Sequence, residues 1–217
     1  MGASNRRAVI KWVVFDLDMT LLDTFRGFYK AFVECVDEHG VAPPSSFELF
    51  LADYEENLLR TYTPRHVDPF MFWRRCWSIY MERKDFGQPI PGMIDALNEL
   101  RREGRSTLVA TGREIESSLI MRELEAIGVS INPLYSLGDL GRGTKMDLLK
   151  HIIRIHGIQP NQAAYITDTP HDALAGASVG FHPIGFASWT SRFRGARIAR
   201  SAEEVIQAVH ELDEAKD

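Results

Sequence analysis

Residues 13–20 read VVFDLDMT, an apolar run that ends abruptly in two aspartates one residue apart. A short valine-rich run of this kind is typical of a strand buried on both faces, as in a parallel sheet. Open α/β sheets bind ligands at the carboxyl ends of such strands. In an extended chain Asp16 and Asp18 point to the same side, where their like charges repel. The pair therefore indicates either a site for a divalent cation or for proton transfer, or only an acidic turn after the strand.

Size, charge and cysteine content limit the classes of protein to consider. The 217 residues, 45% of them hydrophobic, suffice for one large domain or for one domain with an insert. A net charge of −5 argues against non-specific binding to nucleic acid or to an anionic membrane. No stretch approaches the 18 or so apolar residues of a membrane span. Only Cys35 and Cys76 are present, far apart, so we expect no disulfide framework and a reduced, cytoplasmic compartment. We also predict no signal peptide, because the first apolar run is short and ends at Asp16.

Residues 24–88 differ in character from the rest of the chain. Apolar residues recur there at three- and four-residue spacing in three stretches, separated by proline-containing breaks at 43–46 and 64–69. Of the 22 aromatic residues in the chain, 14 lie in this segment. We expect most of these rings to pack its core, because each buries a large apolar area, and one or two to face a ligand. The segment is thus predicted to be a small all-helical unit.

From Pro91 onward, predicted helices alternate with short apolar strands. The strands are expected at residues 107–110, 133–136, 163–167 and 181–186. Pro183 cannot donate to a ladder, which favours the sheet edge for the last of them. This alternation predicts a doubly wound, mostly parallel α/β sheet formed by residues 1–23 and 89–217. The helical segment 24–88 interrupts the sheet directly after its first strand.

Polar clusters follow three of the predicted strands, and a lysine opens the helix before the third cluster. They are Asp16 to Thr20, Thr111 to Arg113, Asp168 to Asp172, and Lys145. Because the carboxyl ends of parallel strands share one edge, we expect these residues to converge. Their types suit phosphoryl transfer to a carboxylate, in which a cation and an ammonium offset the phosphate charge. A hydroxyl and backbone N–H groups can hold the phosphate oxygens, and a second carboxyl group can act as acid and base.

The clusters resemble the motifs of the haloacid dehalogenase superfamily, in its phosphoglycolate-phosphatase-like branch with a helical cap inserted after the first strand. The matching residues are Asp16 to Thr20 for the motif DxDx[TV], Thr111 beside Gly112 for the second motif, Lys145 for the third, and Asp168 with Asp172 for the fourth. The resemblance covers nearly the whole chain. It implies an α/β core of residues 1–23 and 89–217 and a cap of residues 24–88.

The resemblance also implies a role for each matching residue. Asp16 would be the nucleophile and a Mg²⁺ ligand. Asp18 would be the general acid/base and would offer its backbone carbonyl to the metal. Thr111 and Lys145 would take part in catalysis and, with Gly112, bind the phosphate group.

The fourth motif would complete the metal site. Asp168 would bind Mg²⁺ directly, and Asp172 would bind it either directly or through a neighbouring ligand. Lys145 is followed by Met-Asp and not by the proline that commonly follows the family's lysine. Lys150 is therefore kept as the alternative. Met19 stands where many relatives have glycine in the first motif. Thr167 likewise stands where the fourth motif usually has glycine.

Several other polar residues could contribute to the site. Arg113 is expected to be a surface or helix-start charge rather than a phosphate contact, and His171 is not expected to be functional. The candidate residues for substrate selection in the helical segment are Arg60, Arg65 and His66. Charged residues in such positions are more commonly exposed at the surface without a role in binding.

The sequence thus predicts a Mg²⁺-dependent phosphatase that hydrolyses a small phosphorylated metabolite through an aspartyl phosphate. Alternatives within the superfamily are a phosphomutase, a phosphonate hydrolase and a catalytically silent phosphate-binding member. A phosphate-accepting receiver module is disfavoured, because such modules lack a helical insert. We expect a monomer or homodimer that binds neither nucleic acid nor membrane.

Overall fold

The computed structural model of the protein describes residues 9–190, 192–193 and 195–214. Eight short strands lie in this part of the chain: β1 (Trp12–Phe15), β2 (Leu22–Asp23), β3 (Gln88–Pro89), β4 (Ser106–Thr111), β5 (Leu134–Ser136), β6 (Ala163–Thr167), β7 (His182–Phe186) and β8 (Arg197–Ala199). Nine α-helices accompany them: α1 (Phe25–Glu38), α2 (Phe47–Glu55), α3 (Pro69–Arg83), α4 (Met93–Arg102), α5 (Ser117–Ala126), α6 (Leu137–Leu140), α7 (Lys145–His156), α8 (Pro170–Ser178) and α9 (Ala202–Glu214). Within the same residues, no helix combines the length and apolar character needed to cross a bilayer.

Six of the strands form one parallel sheet in the order β5-β4-β1-β6-β7-β8. The central strand β1 pairs with β4 on one side and β6 on the other, so that Val14 lies between Leu108 and Tyr165. Alternate residues of β1 enter different cores, because Val13 and Phe15 pack on one face and Val14 on the other. Helices α4, α5 and α9 cover the first face and α7 the second. The expected doubly wound α/β sheet is confirmed.

The far side of the sheet differs from the prediction. Strand β7 lies between β6 and β8, so its expected edge position is wrong. Strand β8 pairs with β7 only from Ile184 onward, and Pro183 therefore precedes that pairing. Because Pro183 lies outside the residues that pair with β8, its missing N–H does not interrupt the hydrogen bonds between β7 and β8. The sequence pattern also does not predict β8, which has only three residues.

Helices α1, α2 and α3 and a 3-10 helix at Leu59–Tyr62 occupy the segment between β2 and β3. These two short strands pair antiparallel, with Leu22 opposite Pro89, and so lie where the segment leaves and rejoins the sheet. Aromatic rings pack between α1 and α3, and the rings of Phe28 and Trp77 stack with centroids 3.9 Å apart. Most of these rings are buried, as their role in packing requires.

Cys35 of α1 and Cys76 of α3 form a disulfide, so the expectation of no disulfide framework is wrong. They are 41 positions apart in sequence, yet packing of the two helices brings their Cα atoms to 5.1 Å, within the range of a disulfide. Sequence separation was a poor guide because both residues face the helix–helix contact and are fully buried. The cysteines therefore no longer support the prediction of a reduced compartment.

We expect reduction of this disulfide to lower the free energy of unfolding by about 4 kcal/mol. The reason is that the bond closes a long loop and so restricts the unfolded chain. Urea unfolding with and without reductant measures the difference. A Cys35→Ala/Cys76→Ala variant is the control and should be insensitive to reductant. An equal insensitivity of the unaltered protein would contradict the prediction.

Candidate active site

Asp16 lies directly after β1, at the carboxyl end of the sheet. Its Oδ1 accepts hydrogen bonds from the ammonium of Lys145 at 2.6 Å and from the backbone N–H of Leu17 at 2.8 Å. Burial, helped by the nearby carboxylates of Asp172 and Asp18, raises the pKa of Asp16 to about 7 against the opposing effect of Lys145. An ionised, nucleophilic Asp16 would thus need further positive charge at this position.

Lys145 is the first residue of α7, and the capping box of Thr144 and Asp147 fixes the start of that helix. Its buried ammonium donates to Asp16 and, at 3.0 Å, to the carbonyl of Ala110, and it lies 3.1 Å from Asp172. Lys150, the alternative candidate, is exposed on the same helix. The structure therefore brings Lys145, rather than Lys150, to the aspartates.

Asp168 and Asp172 enter the site from the end of β6 and the first turn of α8. Asp168 is fully buried; its Oδ2 accepts from the indole N–H of Trp189 at 3.0 Å, and its Oδ1 has no partner. Burial, together with the charges of Asp16 and Asp172, raises the pKa of Asp168 well above its usual value. A buried, unpaired carboxylate oxygen beside other carboxylates is a position that favours a cation.

The donor set fits a magnesium ion held mainly by Asp16 and Asp168. Among the residues that the structure describes, no three acidic, histidine or cysteine side chains surround a common point as ligands would. Asp172 lies 3.1 Å from the Lys145 ammonium. Mg²⁺ commonly binds one or two carboxylates and fills its other positions with water and substrate phosphate, so two carboxylates suffice.

Asp18 is held by three donor residues, one at the start of α1 and two at the end of β4. Its Oδ1 accepts from the Thr24 hydroxyl at 2.9 Å and from Arg113 Nη2 at 2.8 Å, and its Oδ2 accepts from the Thr111 hydroxyl at 3.3 Å. Burial opposes ionisation, but Arg113, together with Thr24 and Lys145, holds the pKa of Asp18 below its usual value. The Thr111 hydroxyl is thus directed at Asp18, whereas Gly112 lines the cavity beside Lys145.

Arg113 is completely buried, so the expectation of a surface charge is wrong. Besides Asp18, its guanidinium pairs with the buried carboxylate of Glu123 on α5. It also lies 4.4 Å from the ring centroid of Trp77 and 5.1 Å from that of Tyr80, both on α3. The Tyr80 hydroxyl donates to Glu123 at 2.6 Å. Arg113 therefore links the carboxyl end of the sheet to the helical segment.

Sequence reasoning missed this network, although one signal was available. Glu123 lies three residues after Ile120, on the apolar face of the helix that contacts the core. A charged residue on such a face requires a buried partner of opposite sign. Outside this network, Met19 adopts a positive φ of 55°, a backbone conformation that favours glycine.

A cavity of about 410 Å³ opens above these charged groups. Its wall is largely apolar and includes Met19, Phe25, Phe28, Leu59, Trp73 and Trp77. Of the three predicted selectors, Arg60 lines the cavity, whereas Arg65 and His66 are exposed and lie outside its lining. His171, for which no function was expected, is also part of the lining and lies 3.5 Å from Asn57.

Fold and site together define an α/β enzyme with an acidic, lysine-containing centre at the carboxyl end of its first strand. Residues 13–186 match the family described as haloacid dehalogenase-like hydrolase, and the chain belongs to this family. It is therefore a hydrolase, as its motifs predicted.

Individual relatives agree with this assignment. The chain is 26% identical over 226 residues to a protein named "Probable phosphatase IndB" from Dickeya dadantii (strain 3937), with 92% of this chain and 94% of that protein covered. A haloacid dehalogenase-like hydrolase from Streptococcus pneumoniae has a TM-score of 0.72 at 21% identity, over 92% of this chain and 98% of that one. CbbY from Rhodobacter sphaeroides, solved in complex with phosphate, has a TM-score of 0.69 at 20% identity, over 93% and 100%. The two solved structures show that the fold is shared.

Proposed function

We propose that this hydrolase is a Mg²⁺-dependent phosphatase that acts on a small phosphate monoester through an aspartyl phosphate on Asp16. The observation that carries the proposal is the buried contact between Asp16 and Lys145 at the floor of the cavity, next to the unpaired oxygen of Asp168. The kinship with a protein named as a probable phosphatase supports the same reaction.

In the first step, a carboxylate oxygen of Asp16 attacks phosphorus and the bond from phosphorus to the ester oxygen breaks. Asp18, which must enter this step in its protonated form, donates its proton to the departing alkoxide and is left as a carboxylate. In the second step, Asp18 removes a proton from water as that water attacks phosphorus, which releases inorganic phosphate and restores the carboxylate of Asp16. Lys145, already bonded to Asp16, offsets the negative charge of the phosphoryl group in both steps.

The contacts of Asp18 suit the second of these roles. Arg113, Thr24 and Thr111 all donate to its carboxylate, and such bonds stabilise the ionised form that accepts a proton. Thr24 is the residue before α1, and its hydroxyl bonds Asp18 instead of capping that helix. A shift of the helical segment would therefore change the contacts of the acid/base directly.

Mg²⁺, when bound, would supply positive charge that allows a carboxylate and a phosphate group to approach each other. Asp16 and Asp168 would hold it through their carboxylates and Asp18 through its backbone carbonyl. Asp172 would keep the Lys145 ammonium in place, since the two groups lie 3.1 Å apart.

Residues 24–88 would act as a cap that covers the reacting groups. Arg60 and Arg74 of this segment pair with Glu114 and Glu116, which follow β4 on the sheet side, at 2.7 Å and 2.5 Å. With the apolar wall of the cavity in place, these contacts would exclude water while the aspartyl phosphate forms.

Removal of divalent cations is expected to lower phosphate release at least about 100-fold, because the charge of the cation is worth several kcal/mol in such a reaction. Release of inorganic phosphate from a panel of small esters, measured in EDTA and after addition of excess Mg²⁺, tests this. Sodium chloride at equal ionic strength is the control and should not restore activity. Full activity in EDTA would contradict the metal requirement. Conversion of one ester into another without phosphate release would favour a phosphomutase.

A further inference from the structure

Glu114 is a buried carboxylate that lines the cavity and has no part in the reaction proposed above. Its side chain is only 2% exposed, and its Oε1 accepts from Arg60 Nη2 at 2.7 Å. Burial raises the pKa of Glu114 above its usual value, against the opposing effects of Arg60, of its own backbone N–H and of the Trp77 side chain. A carboxylate kept in such surroundings is costly unless its oxygens have donors.

The Arg60 pair alone is a poor reason to bury this carboxylate. Arg60 is half exposed, and its guanidinium also lies 4.7 Å from the ring centroid of Trp73. The neighbouring pair of Glu116 and Arg74 joins the same two parts of the chain with a 41% exposed carboxylate that does not line the cavity. A contact between the helical segment and the sheet can therefore be made without burying an acid in the cavity wall.

The surfaces beside Glu114 determine what could approach it. Phe25, Phe28, Leu59, Trp73 and Trp77 give the cavity that Glu114 lines an apolar wall, while the proposed phosphate-binding groups lie at its floor. A cavity of about 410 Å³ falls within the range of clefts for small organic molecules. It accommodates a phosphate group together with a ring-sized substituent.

We propose that Glu114 is a specificity-determining residue that accepts a hydrogen bond from an O–H or N–H group on the leaving alcohol, whose body is an apolar ring. The substrate class is thus a phosphate monoester of a ring-bearing alcohol that carries a hydrogen-bond donor away from the phosphate. This inference rests on the proposed phosphatase function. In this proposal Arg60 orients the Glu114 carboxylate through the hydrogen bond that it donates to Oε1.

The test compares matched esters on matched variants. Benzyl phosphate offers the ring without a donor, 3- and 4-(hydroxymethyl)benzyl phosphate add a donor at two positions, and glycerol 1-phosphate offers donors without a ring. We expect kcat/KM to be highest for one of the donor-bearing ring esters. Glu114→Gln should lower its preference over benzyl phosphate by about 10- to 100-fold, the usual effect of losing a hydrogen bond to a charged group.

Glu116→Gln is the matched control, because it removes a similar ion pair between the same two parts of the chain outside the cavity. It should leave the ester preference unchanged. An equal change of preference in both variants would show that Glu114 only joins the two parts. A preference for glycerol 1-phosphate, or no loss of preference in Glu114→Gln, would overturn the proposal while leaving the phosphatase function intact.

Binding gives a readout that does not need turnover. Calorimetric titration of the same esters into Asp16→Asn protein, with and without Glu114→Gln, should show the same order of affinities. If no ester or acetyl phosphate yields phosphate with the unaltered protein, the phosphatase function fails. The titration still decides whether Glu114 recognises the donor, and equal affinities for all ring esters would reject that role.

Discussion

Asp16→Asn is expected to lower phosphate release by at least about four orders of magnitude, as loss of a nucleophile does in other enzymes of covalent mechanism. The amide cannot attack phosphorus, and it also removes one of the two carboxylates that would hold Mg²⁺. The measurement is release of inorganic phosphate from the best ester at saturating Mg²⁺. Circular dichroism and thermal unfolding establish that the variant is folded.

Asp23→Asn is the matched control for charge. Asp23 is exposed on β2, a few residues along the chain from Asp16, and its loss should leave the rate unchanged. Trapping with a short pulse of labelled ester should give an acid-stable phosphorylated chain only when Asp16 is present. Retention of more than a tenth of the activity by Asp16→Asn would exclude Asp16 as the nucleophile.

Arg113→Met is expected to lower the free energy of unfolding by about 3–5 kcal/mol. The substitution leaves the fully buried Glu123 without its charged partner, and an uncompensated buried charge carries a cost of this size. Asp18 also loses the three hydrogen bonds that Arg113 donates to it, and the rings of Trp77 and Tyr80 lose their contact with the guanidinium. Urea unfolding measures the change.

A second variant separates the charge from the packing. Arg113→Met/Glu123→Gln removes the orphaned charge and should recover part of the lost stability. Arg75→Met is the control for a surface pair, because Arg75 and its partner Glu38 are both exposed, and it should stay within about 1 kcal/mol of the unaltered protein. If Arg113→Met costs no more than Arg75→Met, the buried network contributes nothing special to stability.

The central strand and the acidic cluster that follows it could be predicted from the sequence because their signals are local. A valine-rich run interrupted by aspartates is visible within eight residues, and parallel pairing then places Thr111, Lys145 and Asp168 at the same edge. The roles of these residues remain predictions, since geometry shows where they lie and not what they do.

Other features depend on contacts between distant segments and have weak local signals. The partner of Arg113 is ten residues away on another element, and only the position of Glu123 on an apolar helix face hints at it. The disulfide requires knowledge of how α1 packs on α3. Strand β8 is three residues long, too short for a period-two pattern to stand out. In each case tertiary packing, rather than the local sequence, determines the outcome.

The antiparallel pair of β2 and β3 has an evolutionary consequence. Leu22 pairs with Pro89 and Asp23 with Gln88. The two ends of the helical segment between these strands are therefore held side by side, whatever the length of that segment. Insertions, deletions or a different set of helices can then be accepted after residue 23 without disturbing the register of β1 with β4 and β6. The length and composition of the cavity wall can thus change while the strands at its floor keep their pairing.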